Sequence, residues 1–390
     1  MVQGHRPAAA FDCDANVRET IEVPMARVLV IANDSWNIQH FRAGLIRALL
    51  DHGHEVTTVS PDQLGVTIDD RPLPHRTWRM SRSGTNPFRE AADIGRLAAV
   101  LIGERPDLLL GFTIKPNIYA CGLSRLLGIA AAPNVTGLGT AFLGGRTFRR
   151  LVVLLYRFAF ARAEAVFFQN PDDKALFLRE RIVRPDQSRV LPGSGIDLSQ
   201  FRPTELPAEP RFLMIARLLG DKGVREYAEA ARQVQARVPD AHFALLGELD
   251  RENRTAIGKH ELDRWIEDGV IDYLGAAPDV RPVIGASTAL VLPSYREGLP
   301  RTLLEGAAMA RPLIGTDVPG CRALVRDGIT GFLCEPRDAR SLAAAMERLA
   351  GLSHELRVRM GQQARAMAER EFDEKHVLAA YLELLRPAAG

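Results

Sequence analysis

Residues 293–305 read PSYREGLPRTLLE, and the rest of the chain is best read outward from them. The apolar run Ala289–Leu292 stops at Pro293, and a helical pattern opens at Pro300, where a missing N–H costs nothing in a first turn. The stretch is therefore a strand end, a turn and a helix start. Backbone N–H groups of Leu299 and Arg301 are expected to face outward there, a natural site for a diphosphate. Glu297 precedes the helix and Glu305 falls about one and a half turns inside it, which puts the carboxylates on the order of 10 Å apart. That span suits one carboxylate holding a sugar hydroxyl and the other the ribose hydroxyls of a single nucleotide sugar. Two glutamates at this spacing on an arbitrary helix would be solvated surface charges. The strand–turn–helix setting gives the pair its meaning.

A basic pair lies upstream. Arg217 follows the apolar run RFLMIA, and Lys222 is expected to begin the next helix. Cleaving a sugar–diphosphate bond leaves negative charge on the departing phosphate, which fixed cations stabilise. Glycine turns at strand ends, Gly195 within 193–197 and Gly247, are weaker candidates for the donor pocket; the first reads equally as a hinge. Ser35, in the loop 33–37 after the first strand, is a further donor-side candidate.

Around these residues the chain alternates between short apolar runs and helical patterns. Strands are expected at 27–32, 55–60, 108–112, 130–135 and 165–169, with helices at 38–50, 117–127 and 146–163 between them. After a proline-rich linker with Pro203, Pro207 and Pro210, the rhythm restarts. Strands follow at 211–216, 242–246, 271–274, 289–292 and 312–316, helices at 224–238 and 301–310, and two final helices near 355–370 and 375–385. Such alternation predicts an α/β fold of two doubly wound parallel sheets facing across a cleft. The expected divisions are a flexible extension at 1–24 (Met25 being a second possible start), an acceptor-binding domain at 25–195, a nucleotide-sugar domain at 196–372, and a helix at 373–390 packing back on the first domain.

Bulk properties exclude several classes. A chain of 390 residues, 46% hydrophobic and 25% charged, suits a two-domain globular enzyme. A net charge of only +2 gives no footprint for nucleic acid. The four cysteines have no C-x-x-C or zinc spacing, so no metal site is expected. The N-terminus, carrying Asp12, Asp14, Glu19 and Glu22, is not a signal peptide, and no run is long enough to span a bilayer. No G-x-G-x-x-G follows 27–32 or 211–216, which weakens a dinucleotide-dependent oxidoreductase. A nucleotide-binding regulatory module is disfavoured by the polar groups present at 217, 222, 297 and 305.

Arg217, Lys222, Glu297 and Glu305 together resemble the signature of the family-4 retaining glycosyltransferases, which have the GT-B architecture. The resemblance spans about residues 27–386. It implies that Glu297 contacts the donor sugar, Glu305 the ribose, and Arg217 and Lys222 the diphosphate. It also implies front-face substitution with retention, no metal and no cofactor beyond the nucleotide sugar. Residues 112–119 (FTIKPNIY) and 134–139 (NVTGLG) are similar to a subgroup that extends undecaprenyl-diphosphate-linked sugars. That subgroup includes N-acetylgalactosaminyltransferases acting on lipid-linked diacetylbacillosamine and related capsule and O-antigen enzymes. A UDP-sugar donor, carrying an N-acetylhexosamine such as N-acetylgalactosamine or else another hexose, and a polyprenyl-diphosphate acceptor follow as expectations from the resemblance, as does a peripheral place on the cytoplasmic face of an inner membrane. Where many members carry a histidine after the strand at 108–112, this chain has Thr113 and Lys115. Lys115 is a candidate contact to the reacting centre. A GT-B-fold UDP-sugar epimerase is the rival reading, disfavoured by the signature spacing.

Residues 146–163 (RTFRRLVVLLYRFAFARA) interleave Arg146, Arg149, Arg150 and Arg157 with large apolar residues. The pattern fits either a core helix with a charged outer face or a basic helix lying on an anionic membrane surface.

Overall fold

A computed structural model describes residues 24–63, 65–80, 87–138, 146–250, 253 and 255–386. The extension expected at 1–24 lies, except for Pro24, outside the described residues, as does Gly139.

The first domain is built on a seven-stranded parallel sheet. Its strands are β1 (Arg27–Ile31), β2 (Glu55–Ser60), β5 (His75–Thr77), β6 (Leu108–Phe112), β7 (Ala130–Val135), β8 (Val166–Phe168) and β9 (Ser188–Val190); β3 (Thr67–Ile68) and β4 (Arg71–Pro72) form a separate small hairpin. The spatial order is β5-β2-β1-β6-β7-β8-β9. Val28 pairs with Val56 on one side and Leu108 on the other. β6 is buried along its whole length, as a continuous apolar run covered on both faces must be. The covering helices are α1 (Ser35–Phe41), α2 (Ala43–Asp51), α3 (Pro87–Glu104), α4 (Ile114–Leu127), α5 (Arg146–Phe160) and α6 (Pro171–Arg179).

The single helix expected at 38–50 is two. Arg42 breaks it with φ −124° and ψ 3°, and its buried guanidinium lies 4.0 Å over the Phe112 ring. Burial lowers the Arg42 pKa to about 10. Helical periodicity carries no sign of such an inward arginine.

The second domain holds a six-stranded parallel sheet in the order β12-β11-β10-β13-β14-β15. Its strands are β10 (Arg211–Ile215), β11 (His242–Leu246), β12 (Asp272–Tyr273), β13 (Ala289–Leu292), β14 (Leu313–Thr316) and β15 (Gly331–Cys334). Its helices are α7 (Val224–Gln235), α8 (Lys259–Glu267), α9 (Arg281–Gly285), α10 (Arg301–Ala308), α11 (Pro319–Arg322), α12 (Ala339–Ala350) and α13 (His354–Glu371). One apolar core fills this domain, and two others cover the two faces of the first sheet.

The chain passes between domains twice in one place. The Ile196 amide donates to Phe372 O at 2.9 Å, and the Glu374 amide donates to Ile196 O at 3.1 Å. The last helix, α14 (Glu374–Glu383), then packs on the first domain, where the Tyr381 hydroxyl accepts from Asn134 Nδ2 at 2.9 Å and its ring meets Phe167. The two sheets are thereby held with the carboxyl end of β7 and the loop after β8 against the turn after β13.

Candidate functional site

Lys222 and Glu297 meet. Lys222 Nζ donates to Glu297 Oε1 at 2.5 Å, with side-chain exposures of 24% and 13%. Lys222 does not begin α7. It closes a 3-10 turn, Gly220–Lys222, and Gly223 at φ +78° separates it from the helix. A Cβ at Gly223 would overlap the Pro293 carbonyl, coming within 2.7 Å of its carbon. Only glycine satisfies both the left-handed backbone and this approach. The Asp221 carbonyl accepts the Tyr295 amide at 2.9 Å and Ser294 Oγ at 3.3 Å. The turn carrying Lys222 is thus laced to the loop carrying Glu297.

Arg217, just past β10, takes another direction. Its exposed guanidinium bonds Asp250 Oδ2 at 3.2 Å, beside the pair but not part of it. Gly247, at φ +152°, lies directly against the Ala216 carbonyl in the same strand-end layer.

Pro300 is the N-cap of α10, with φ −73° and ψ 113°, rather than a residue of its first turn. The first helical bond runs from the Leu304 amide to Pro300 O at 3.2 Å. The amides without intrahelical partners are therefore those of Arg301, Thr302 and Leu303, not Leu299. The Leu299 side chain packs against the second core, next to Gly193. Glu305 lies one turn into α10, is buried, and accepts from Arg301 Nε at 2.9 Å. Burial holds its carboxyl above the usual range, opposed by the Arg301 charge. The Arg301 side chain also donates to Ser194 Oγ at 3.0 Å and Gly195 O at 2.7 Å. Gly195, at φ +68°, is pressed against Glu374 Cα. Its surroundings are those of the domain crossing, with its carbonyl turned to Arg301.

The raised pKa of Glu305 has a calculable consequence. A carboxyl whose folded pKa exceeds its unfolded value adds stability below the unfolded pKa of about 4.5 and loses it as pH rises through the folded one. At neutral pH the ionised form is a net cost. Glu305→Gln is expected to melt no lower than wild type at neutral pH, with any advantage shrinking as pH falls toward 4.5. Thermal melts of the two proteins at neutral pH and near the unfolded pKa check this; a Glu305→Gln protein melting below wild type at neutral pH would overturn it.

No local pattern announces the contacts that seat this loop on the first domain. Arg296 donates to Asp173 Oδ1 at 2.6 Å, and Asn170 Nδ2 donates to Gly298 O at 2.9 Å. Asp173 is almost fully buried; burial raises its pKa and Arg296 opposes the shift. Asn170 before Pro171 has the local pattern of a helix cap, and it is one, accepting from the Asp173 amide at 2.8 Å. Its second bond, across the cleft, has no local sequence signal.

Two first-domain candidates are placed differently from what their sequence positions suggest. The Ser35 amide donates to Asp62 Oδ2 at 2.8 Å, and Asp34 caps the Asn37 amide at 2.5 Å. Two carboxylates at the start of α1 make that helix end unsuited to a phosphate. Lys115 pairs with Glu90 of α3 at 2.7 Å, and Glu90 also accepts from Tyr119. Thr113, just before it, holds φ +70°, strained for a β-branched residue, with Oγ1 buried and without a partner.

On α5, Phe148, Leu151, Leu154, Leu155 and Phe158 are exposed, while Val152, Val153, Tyr156, Ala159 and Phe160 face the core. The arginines do not all point outward. Arg149 donates to Glu180 Oε1 at 2.5 Å, and Arg157 Nε donates to Glu180 O at 3.0 Å. Arg150 is exposed; the Arg146 side chain lies outside the described residues. No helix among the described residues is long and apolar enough to cross a membrane.

Comparison with known proteins agrees with this architecture. Residues 38–193 match the glycosyl transferase 4-like domain, and residues 209–351 match the glycosyl transferases group 1 family. The chain is 27% identical over 378 residues to the N,N'-diacetylbacillosaminyl-diphospho-undecaprenol alpha-1,3-N-acetylgalactosaminyltransferase of Campylobacter jejuni, covering 92% of this chain and 98% of that one. It is 27% identical over 271 residues to the UDP-Gal:alpha-D-GlcNAc-diphosphoundecaprenol alpha-1,3-galactosyltransferase of Escherichia coli, covering 65% and 68%. Among solved structures, Anabaena Alr3699/HepE in complex with UDP and glucose superposes with a TM-score of 0.74 at 16% identity, covering 92% and 99%. A Rickettsia africae glycosyltransferase superposes with a TM-score of 0.71 at 19% identity, covering 93% and 98%. The two matched regions take in the second sheet and every strand of the first except β1, and the chain is a glycosyltransferase of the GT-B fold, with a glycosyl transferase 4-like first domain and a group 1 second domain.

Proposed function

We propose that the enzyme transfers a sugar, an N-acetylhexosamine such as N-acetylgalactosamine, from a UDP-sugar to an undecaprenyl-diphosphate-linked saccharide, with retention and without a metal. The observation that carries this reading is the Lys222–Glu297 pair beside the unpartnered start of α10, at the junction of the two sheets. Glu297 holds a sugar hydroxyl, Glu305 the ribose, and Lys222 and Arg217 the diphosphate, with the α10 amides turned to its oxygens. The acceptor hydroxyl attacks the anomeric carbon from the face the diphosphate leaves. The C–O bond to the diphosphate breaks, and the hydroxyl proton passes to the departing phosphate oxygen. Lys222 stabilises the charge that develops there. The relatives in Campylobacter jejuni and Escherichia coli, both named for diphosphoundecaprenol-linked acceptors, support a role in bacterial surface or glycoprotein glycan synthesis.

The exposed apolar stripe on α5 supports peripheral attachment at the cytoplasmic face of an inner membrane. Its apolar side chains enter the interface, and Arg150 meets anionic headgroups. Flotation with phosphatidylglycerol vesicles is expected, and its loss in Leu151→Glu; vesicle binding equal in the two proteins would remove this part of the reading. The transfer itself is tested by screening nucleotide sugars against polyprenyl-diphosphate saccharides, read by mass spectrometry. The expected result is a glycosylated lipid from a UDP-sugar. Donor hydrolysis or isomerisation with no glycosylated acceptor anywhere in the panel would overturn it.

A further inference from the structure

A basic cavity lies apart from the donor residues. It has a volume of about 400 Å³ and is lined by Pro61, Arg79, Met80, Arg89, Asp93 and Arg96. Pro61 follows β2, and Arg79 and Met80 follow β5, so the cavity opens at the carboxyl ends of first-domain strands, the edge that faces the second domain. Its other wall is the start of α3. That wall is firmly set: Trp78 is fully buried and donates from Nε1 to Asp93 O at 2.8 Å. Asp93, buried, in turn takes Arg96 at 2.5 Å. Three guanidinium groups and one carboxylate line the cavity, a formal excess of positive charge. Planar guanidinium forks match phosphoryl oxygens in geometry as well as charge.

We propose that this cavity binds the diphosphate of the lipid-linked acceptor, through Arg79, Arg89 and Arg96; this rests on the acceptor class proposed above. Position supports the assignment. In the order β5-β2-β1-β6-β7, three strand spacings separate β2 from β7, about 14 Å along the sheet edge. Gly298, next to Glu297, lies against Thr136 just past β7. The interval between cavity and reacting centre leaves room for the acceptor's sugar. Glu90, adjacent to Arg89, bonds Lys115 in the first turn of α4, the helix that follows β6, so α3 ties the cavity wall to the intervening edge.

The test is calorimetric titration of geranyl diphosphate into the full chain saturated with UDP, which occupies the donor diphosphate site. Wild type is expected to bind it, and Arg79→Gln and Arg96→Gln to weaken binding at least about tenfold. Arg79→Glu is expected to abolish it. Arg237→Gln, an exposed arginine on the second domain, is expected to leave it unchanged. Because Arg96→Gln disturbs the buried Asp93, the Arg79 variants carry the decision. Equal affinities in wild type and both Arg79 variants would overturn the proposal. So would inorganic phosphate binding as tightly as geranyl diphosphate, which marks a small-anion site. Loss of phosphatidylglycerol vesicle binding in the Arg79 variants with geranyl diphosphate affinity intact would assign the cavity to phospholipid headgroups instead, and also overturn it. Failure of wild type to bind UDP would count against the donor reading alone, since the Arg79 comparison still reports on this cavity.

Discussion

Lys222→Ala is expected to lower the rate of sugar transfer by about 10²–10³-fold or more, the range seen when one group aimed at developing charge is removed, while leaving the chain folded. The expectation follows from where the ammonium is held. Nζ lies 2.5 Å from Glu297 on a turn whose backbone is fastened to the Glu297 loop by Asp221. In the absence of donor, Glu297 neutralises it. In the proposed donor pose the same ammonium faces the breaking bond. Its benefit grows as charge collects on the leaving phosphate, so kcat falls more than the donor KM rises. Truncation leaves Glu297, only 13% exposed, without its partner, at a cost of about 1–3 kcal/mol. Glu297→Ala is expected to lose nearly all transfer as well. The double variant should be far less than multiplicatively worse, because the pair acts as a unit. Initial rates with acceptor, together with thermal melts, separate lost chemistry from lost fold. Lys222→Ala turning over within about tenfold of wild type would take Lys222 out of the mechanism.

Much of this arrangement was legible in the sequence, for identifiable reasons. Strands Leu108–Phe112, His242–Leu246 and Ala289–Leu292 stand where the apolar runs placed them, since strands buried on both faces read as hydrophobic stretches, and Glu55–Ser60 and Ala130–Val135 stand at their expected bounds as well. The stretch 61–106 was opaque. β3, β4 and β5 have two or three residues each and are partly exposed, too short for a period to register. In α3, Gly95 and Gly103 interrupt an otherwise amphipathic helix. At the site, Glu297 and Glu305 could be read together because both lie on one strand–turn–helix segment; the meeting of Lys222 with Glu297, 75 residues away, has no local spacing to announce it. The other side-chain partners were no more legible. Arg301 was read only for its backbone, yet its guanidinium joins Glu305, Ser194 and Gly195. Asp173 and Arg296 are 123 residues apart and meet only because two sheets face each other. Arg149 and Arg157 fit a solvent-facing or a lipid-facing charged stripe equally, but Glu180 on a neighbouring helix end claims both. Helix periodicity specifies a face; it does not say which acceptors other elements bring to it.

Gly298→Ala is expected to lower kcat/KM by at least about 10²-fold, on the scale of a small misplacement of the reacting groups, without unfolding either domain. Gly298 has no left-handed torsion to protect, so the effect is one of space alone. A Cβ there would strike the Thr136 carbonyl, coming within 2.7 Å of its carbon, and would lie 2.9 Å from Gln169 Oε1. The first obstacle is backbone, held by the adjoining β7, and cannot swing aside as a side chain does. Three bonds converge on the same place: Asn170 to Gly298 O at 2.9 Å, Arg296 to Asp173 at 2.6 Å, and the Asn170 cap to the Asp173 amide at 2.8 Å. One methyl group would therefore push the Glu297 loop off the first domain, parting Glu297 from whatever the first sheet presents to the sugar. The domains remain linked through Ile196 and Phe372–Glu374, so the displacement opens the cleft rather than separating the halves. UDP affinity is expected to change little, because Lys222, Glu305 and the start of α10 all belong to the second domain. Small-angle scattering is expected to show a larger radius of gyration than wild type in the presence of UDP. Near-wild-type transfer with an unchanged scattering profile would show that this contact does not govern how the two halves of the site are brought together.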